Sequence, residues 1–257
     1  MKLICAGLTD VGMARDHNED DLYLSEGNEP LCIVADGMGG HNSGEVASAM
    51  AIRAIVDYYR ETIPKESDGY GQTVVNGEEI DLNQHRLTEA LKTANRVVFE
   101  AAEGEEAFDG MGTTIVSGYF TERGLYMAHI GDSRAYRFRD GQLEQLTPDH
   151  SLANEYVRMG ILAKEDVEFF PYKNVITRAC GLAAEVEVDT SFMEYVPGDV
   201  YVLCTDGLTD MVSDEVIVEI LEEESDVESA CRQLVERANE NGGNDNITVI
   251  LAEVDEP

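Results

Sequence analysis

Apolar residues along this chain fall into short blocks whose spacing switches between two and about 3.6 residues, the signatures of strands and of one-sided helices. Residues 3–8, 21–25 and 31–35 read as strands; the last is an unbroken apolar run, which marks a strand buried on both faces. Residues 43–59 read as a helix, with Ser43 placed to cap it and Val46, Met50, Ile55 and Val56 near helical spacing. A second helix spans 87–102, with Leu91, Ala94 and Val98 on one face. Between these helices, at about 64–83, the chain turns polar and carries Asp-Gly and Asn-Gly pairs, so a surface insertion is expected there. Strands follow at 113–121 and 124–130, and 135–139 and 142–146 flank Asp140-Gly141, a strong hairpin signal. A short helix at 152–159 leads into 160–181, which has no clean period and reads as an irregular flap. Strands at 185–194 and 199–204, helices at 214–223 and 227–239 and a strand at 247–253 complete the pattern. Strands cluster by hairpins and helices arrive in pairs, without βαβ alternation, so an α+β fold of antiparallel sheets is expected.

Composition narrows the reading. At 257 residues and 43% hydrophobic, the chain can bury a sizeable core, and a single domain over 1–257 is expected. The unusual feature is 52 acidic against 18 basic residues, a formal charge of -34. Such a surface repels nucleic-acid backbones and anionic lipid heads, so neither partner is expected. Solubility or a salt-rich habitat accounts for most of that acidity, because a few metal ligands could never explain so many charges. Cys5, Cys32, Cys180, Cys204 and Cys231 form an odd, widely spaced set without a C-x-x-C pair, which argues against a disulfide framework and a zinc knuckle. Cys32 and Cys204 lie in apolar runs and read as core thiols. No apolar stretch approaches the ~20 residues of a membrane helix, and a cytoplasmic location is expected.

The candidate chemistry lies where polar motifs interrupt or end apolar runs: Arg15-Asp16-His17-Asn18-Glu19-Asp20, Ala35-Asp36-Gly37-Met38-Gly39-Gly40-His41, Gly131-Asp132-Ser133-Arg134, Thr205-Asp206-Gly207 and Asn244-Asp245-Asn246-Ile247. A strand-terminal aspartate projects from a rigid end, and the following glycine lets a carbonyl or a metal approach closely. Hard cations such as Mg²⁺ and Mn²⁺ prefer carboxylate, carbonyl and water oxygens, and no His/Cys set competes to favour zinc. Each motif alone is weak evidence. Asp-Gly is a common turn dipeptide, a lone Arg15 is most often a surface cation, and Asp245 in a loop can simply precede a strand. The ordered set spread over the whole chain is what raises the metal reading above the turn reading.

That set resembles the metal-dependent type 2C family of protein phosphatases, in its bacterial form, over essentially the full length. The resemblance rests on Arg-x-x-Asn-Glu-Asp, Ala-Asp-Gly-Met-Gly-Gly-His, Gly-Thr-Thr, Gly-Asp-Ser-Arg, Thr-Asp-Gly-Leu and Asn-Asp-Asn-Ile-Thr in the family's order. It implies a four-layer α-β-β-α sandwich, two antiparallel sheets flanked by helix pairs. It implies two Mn²⁺ or Mg²⁺ ions and a weaker third: Asp36 bridging two, the Gly37 carbonyl on one, Asp206 and Asp245 on the other, and Asp132 with Asp206 at the third. Glu19 and Asp20 would hold waters or orient the ligands, and Arg15 would grip two phosphate oxygens with its bidentate fork. The implied reaction is hydrolysis of phosphoserine and phosphothreonine in proteins by a metal-activated water, with no phospho-enzyme. A cognate kinase and a monomer are also implied, and residues 160–181 match the family's variable flap, which influences substrate choice. One departure stands out: Met38 occupies the position where some relatives carry a His proposed as the general acid, while His41 lies three residues on. His129, in an apolar strand, reads as a core histidine, and His150 as a loop residue. A catalytically silent binding module is the alternative in another class. A plain cation-binding protein lacks EF-hand spacing.

Overall fold

The computed structural model describes residues 2–25, 27, 30–39, 43–62, 71–75 and 78–255. In chain order, β1 (Lys2–Asp10), β2 (Asp20–Leu24) and β3 (Leu31–Met38) lead to α1 (Ser43–Thr62). The hairpin β4 (Gln72–Val75) and β5 (Glu78–Asp81) precedes α2 (Leu82–Gly104). Then come β6 (Gly112–Thr113), β7 (Ile115–Thr121), β8 (Gly124–Ile130), β9 (Arg134–Arg139), β10 (Gln142–Gln145) and α3 (Leu152–Arg158). The remainder is β11 (Asp189–Met193), β12 (Val200–Cys204), α4 (Asp206–Thr209), α5 (Asp214–Glu223), α6 (Val227–Glu240) and β13 (Ile247–Asp255).

The strands form two antiparallel sheets, ordered β1-β13-β12-β9-β10 and β11-β8-β7-β3-β2, with β6 paired to the end of β3. Period-two alternation explains why these sheets stack. Along β3, Leu31, Ile33 and Ala35 join a core shared with α1 and α2, whereas Cys32 and Val34 face the other sheet. Along β12, Val202 and Cys204 pack with α5 and α6, whereas Tyr201 and Leu203 turn inward. Along β13, Val249 and Leu251 go to the helices, and Ile250, Ala252 and Val254 to the inter-sheet layer. The result is the four-layer α-β-β-α sandwich. A fully buried Leu, Ile or Val contributes roughly 1.5–3 kcal/mol over leaving it exposed, so three such layers hold the sheet ends in a fixed relation.

Several expectations shift on inspection. Part of the expected surface insertion at 64–83 lies outside the described residues, and its described part holds the β4–β5 hairpin and the start of α2. The second helix begins at Leu82, not 87, because Asp81 caps it: its Oδ1 accepts from the Asn83 N–H at 2.8 Å. The strand expected over 113–121 breaks at Thr114, and only Asp189–Met193 of 185–194 pairs with β8. Asp140-Gly141 is the expected hairpin turn, with φ of 51° and 73°. Within 160–181 the one regular piece among the described residues is a 3-10 turn, Lys164–Phe169. All five cysteines are free, four of them buried. Among the described residues, no helix is long and apolar enough to cross a membrane.

Candidate metal centre

Strand direction gathers the acids. β3 and β8 are both antiparallel to β7, so Asp36 and the Gly131-Asp132 turn leave the second sheet at the same end. On β2, Asp20 stands directly opposite Asp36. In the first sheet, Cys204 of β12 pairs with Val249 of β13. Asp206, just after β12, and Asp245, just before β13, therefore emerge together. Asp20 ties the two sheet ends: its Oδ2 accepts from Thr205 Oγ1 at 2.9 Å and Thr248 Oγ1 at 2.7 Å.

The backbone of Asp36 is gripped from the Gly-Thr-Thr segment. Its carbonyl accepts from the Thr114 N–H and the Thr113 hydroxyl, both at 2.8 Å, and its N–H donates to Thr114 Oγ1 at 3.2 Å. Thr114 Oγ1 in turn lies 2.6 Å from Ser133 Oγ, next to Asp132. The glycines after Asp36 and Asp206 are not turn residues. A Cβ on Gly37 would lie 2.1 Å from the Gly44 carbonyl oxygen and 2.5 Å from that of Glu19. A Cβ on Gly207 would lie 1.8 Å from the carbonyl oxygen of Asn246. Both positions demand glycine for close backbone approach, which sets them apart from the hairpin glycine, Gly141.

Glu19 is anchored through its backbone. Its N–H donates to Asn246 Oδ1 at 2.8 Å, and its carbonyl accepts from Ser48 Oγ at 2.7 Å and the Gly37 N–H at 3.1 Å. Arg15 and Asp245, expected in separate roles, meet: Arg15 Nη2 donates to Asp245 Oδ2 at 2.8 Å, with both side chains partly exposed. Asn246 is a hub that sequence reasoning passed over, since its amide also donates to the carbonyls of Val11 and His17, both at 2.9 Å. Thr113, Thr114, Thr205 and Thr248 were likewise unassigned. Their signal was adjacency to the acidic motifs. His41 lies outside the described residues, while Met38 ends β3.

Electrostatically the site is a crowd of like charges. Withdrawal from water, then the carboxylates of Asp20, Asp206, Asp132 and Asp245, push Asp36 well above the usual carboxylate range, although the residue is only half-buried. Burial raises Asp20 to about 7 against the stabilising pull of its two threonine hydroxyls. Burial and Asp206 raise Asp132 to about 7. Burial, Asp210 and Asp245 raise Asp206 to about 6, while a hydrogen bond with Asp36 lowers it. Asp132 Oδ1 is buried and has no hydrogen-bond partner. Nearby Arg134 is already committed to both oxygens of Asp149, at 2.9 and 2.7 Å. An all-oxygen donor set of mutually repelling carboxylates, one with an orphaned buried oxygen, fits hard divalent cations. Asp132 and Asp206 also line a cavity of about 750 Å³, together with Lys164, Val167 and Lys173 of the flap.

Among the described residues, three potential ligand atoms within 4.8 Å of one another occur only at His129, His150 and Asp189. Both histidines are buried, and His150 lies in the expected loop, between β10 and α3. That trio does not suit a cation. The Arg178 guanidinium lies 3.0 Å from His150 Nε2 and donates to Asp189 Oδ1 at 2.6 Å, so a positive charge already fills the space.

Comparison with known proteins agrees with this geometry. The family model described as protein phosphatase 2C matches residues 14–252. The serine/threonine phosphatase stp of Listeria monocytogenes is 39% identical over 249 residues, which cover 96% of this chain and 94% of the relative. The crystal structure of the Mycobacterium tuberculosis serine/threonine phosphatase PstP/Ppp superposes with a TM-score of 0.86 at 35% identity, covering 100% of both chains. The catalytic domain of the phosphatase PstP, solved in complex with two manganese ions, superposes with a TM-score of 0.80 at 34% identity, covering 99% of each chain. With the family model spanning most of its length, this chain belongs to the protein phosphatase 2C family.

Proposed function

We propose that Asp36, Asp206 and Asp245, with the Gly37 carbonyl, hold the two ions of this metal-dependent serine/threonine protein phosphatase, and that Asp132 with Asp206 holds a weaker third. The enzyme class follows from the family: a hydrolase of phosphate monoesters in proteins that works with Mn²⁺ or Mg²⁺. When bound, the ions lower the pKa of water and neutralise charge on the phosphoryl oxygens. The observation that carries the residue assignment is the convergence of five aspartates from two sheets at one end, with one buried carboxylate oxygen left unpartnered.

The chain's own residues do the rest. Asp36, gripped by Thr113 and Thr114, presents its carboxylate from a rigid strand end, which spares reorganisation during the reaction. Asp20 braces the Asp206 and Asp245 segments through Thr205 and Thr248, and Glu19 orients waters from a backbone fixed by Asn246 and Ser48. Arg15 grips the phosphate. Its hold on Asp245 keeps the guanidinium at the mouth of the site before substrate arrives. No nucleophilic Cys or Ser is required, and the thiols of Cys180 and Cys204 are buried with raised pKa values. In this reading residues 1–257 act as one catalytic domain, the flap at 160–181 faces the protein substrate, and the enzyme works as a cytoplasmic monomer opposing a serine/threonine kinase.

The deciding assay is hydrolysis of p-nitrophenyl phosphate and of a phosphothreonine peptide in Mn²⁺ and again in chelator. Metal-dependent turnover of both is expected. Turnover of neither would favour the silent binding module.

A further inference from the structure

We propose that His150 is a positioning residue that sets Asp132 by holding Gly131 and joins the base of the flap to the metal centre. This rests on the assignment of Asp132 to the third ion. Gly131 gives both its backbone groups to this one residue: its N–H donates to His150 Nδ1 at 3.0 Å, and its carbonyl accepts from the His150 N–H at 3.0 Å. Gly131 has no slack elsewhere, with φ at 108° and Thr114 so close that a Cβ would lie 2.6 Å from the threonine Cβ. Asp132 is the next residue, so the clamp sets where its carboxylate starts.

The imidazole is itself held from three sides. Its ring stacks on His129 with centroids 4.5 Å apart and planes at 17°, and His129 Nε2 donates to the Pro148 carbonyl at 3.0 Å. Nδ1 accepts from the Gly131 N–H, and Nε2 lies 3.4 Å from Asp189 Oδ2 and 3.0 Å from Arg178 Nη1. The same Arg178 nitrogen donates to Asp189 Oδ1 at 2.6 Å, so both groups brace one edge of the ring. His150 also receives the returning end of the flap: its carbonyl accepts from the Thr177 N–H at 2.8 Å, and Ser151 bridges Ile176 beside it. The returning end of the flap and the Asp132 turn thus converge on one buried residue. An outer partner that orients a ligand typically changes metal affinity or activity by about 10–100-fold when lost.

The test compares H150F, which keeps a stacking ring but offers no acceptor, with H150N, whose Oδ1 can take the place of Nδ1. Mn²⁺ binding is followed by calorimetry and phosphopeptide hydrolysis by its Mn²⁺ dependence. H150F is expected to weaken the weakest class of Mn²⁺ site about tenfold and leave the tighter sites within twofold, with H150N near the parent. In a D132N background, H150F should add less than twofold, because both changes act on the same site. Additive losses, or an H150N as damaged as H150F, would overturn the positioning role while leaving Asp132 as a ligand. A D132N that binds Mn²⁺ like the parent would overturn the Asp132 assignment and this proposal with it. Should H150F fail to fold, Arg178→Met loosens the far side of the ring and must weaken the same Mn²⁺ class in the parent but not in D132N; an equal effect in both rejects the proposal.

Discussion

Replacing Asp20 by Asn tests the electrostatic account of the site directly. The carboxyl is 7% exposed, and burial raises its pKa from 3.8 to about 7. In the folded chain without ions, that charge is a liability whose size depends on pH. Below the ordinary carboxylate pKa, Asp20 is protonated whether the chain is folded or unfolded, and no stability is lost. As pH rises from 3.8 toward 7 the unfolded chain releases the proton first, so stability falls across that window and levels off above it. A shift of about three units corresponds to about 4 kcal/mol at pH 8 and less than half of that at pH 5. Both threonine hydroxyls donate to one oxygen, Oδ2, so an Asn carbonyl oxygen can accept both bonds and the fold survives the change. Urea unfolding in chelator, followed by circular dichroism, should therefore show D20N more stable than the parent at pH 8, by up to about 4 kcal/mol, with the gain shrinking toward pH 5. Saturating Mn²⁺ should stabilise the parent more than D20N, because the charge then helps to hold the ions. A D20N protein less stable than the parent at pH 8 in chelator would refute the argument, since Asp20 would then be favourable even without ions.

Asp36→Asn and Asp206→Asn should each lower Mn²⁺-dependent turnover by about 100-fold or more with an unchanged circular dichroism spectrum; near-parental rates in either would remove that residue from the ligand set. Arg15→Ala should raise KM more than it lowers kcat, because the phosphate grip exists before the transition state; the reverse split would assign Arg15 to the transition state. Gly207→Ala, which drives a Cβ into the Asn246 carbonyl, should cost roughly 1–3 kcal/mol and raise the Mn²⁺ requirement, as read by melting and by metal titration. Gly141→Ala strains a left-handed turn at a similar cost of about 1–2 kcal/mol yet should leave Mn²⁺ dependence unchanged, and a shift there would mean that stability alone moves the assay.

Much of this molecule can be read along the chain because its information is local. The unbroken apolar run of β3 and the helical spacing in α1 need only neighbouring residues, and both elements lie close to where the pattern places them. The acidic motifs are visible for a similar reason, since an aspartate at the end of an apolar run is a local event. Boundaries slipped where a single side chain decided them, as at the Asp81 cap of α2, and where pairing decided them, as at the break between β6 and β7. His150 lies in a loop, as expected, but its burial was not legible along the chain because it comes from β8, the flap and Gly131, all apart from it in sequence.

Local pattern alone settles the layered α+β class, the acidic surface and the types of residue that meet a hard cation. It does not settle whether those residues meet. Asp20, Asp36, Asp132, Asp206 and Asp245 come together through sheet order and strand direction, and Asp20 reaches two threonines of the opposite sheet across 185 and 228 residues of sequence. Their raised pKa values likewise arise from shared burial and mutual repulsion, which exist only once the two sheets are stacked and water is displaced. Periodicity is a property of consecutive residues, whereas an electrostatic site is a property of through-space distance, and folding creates those distances.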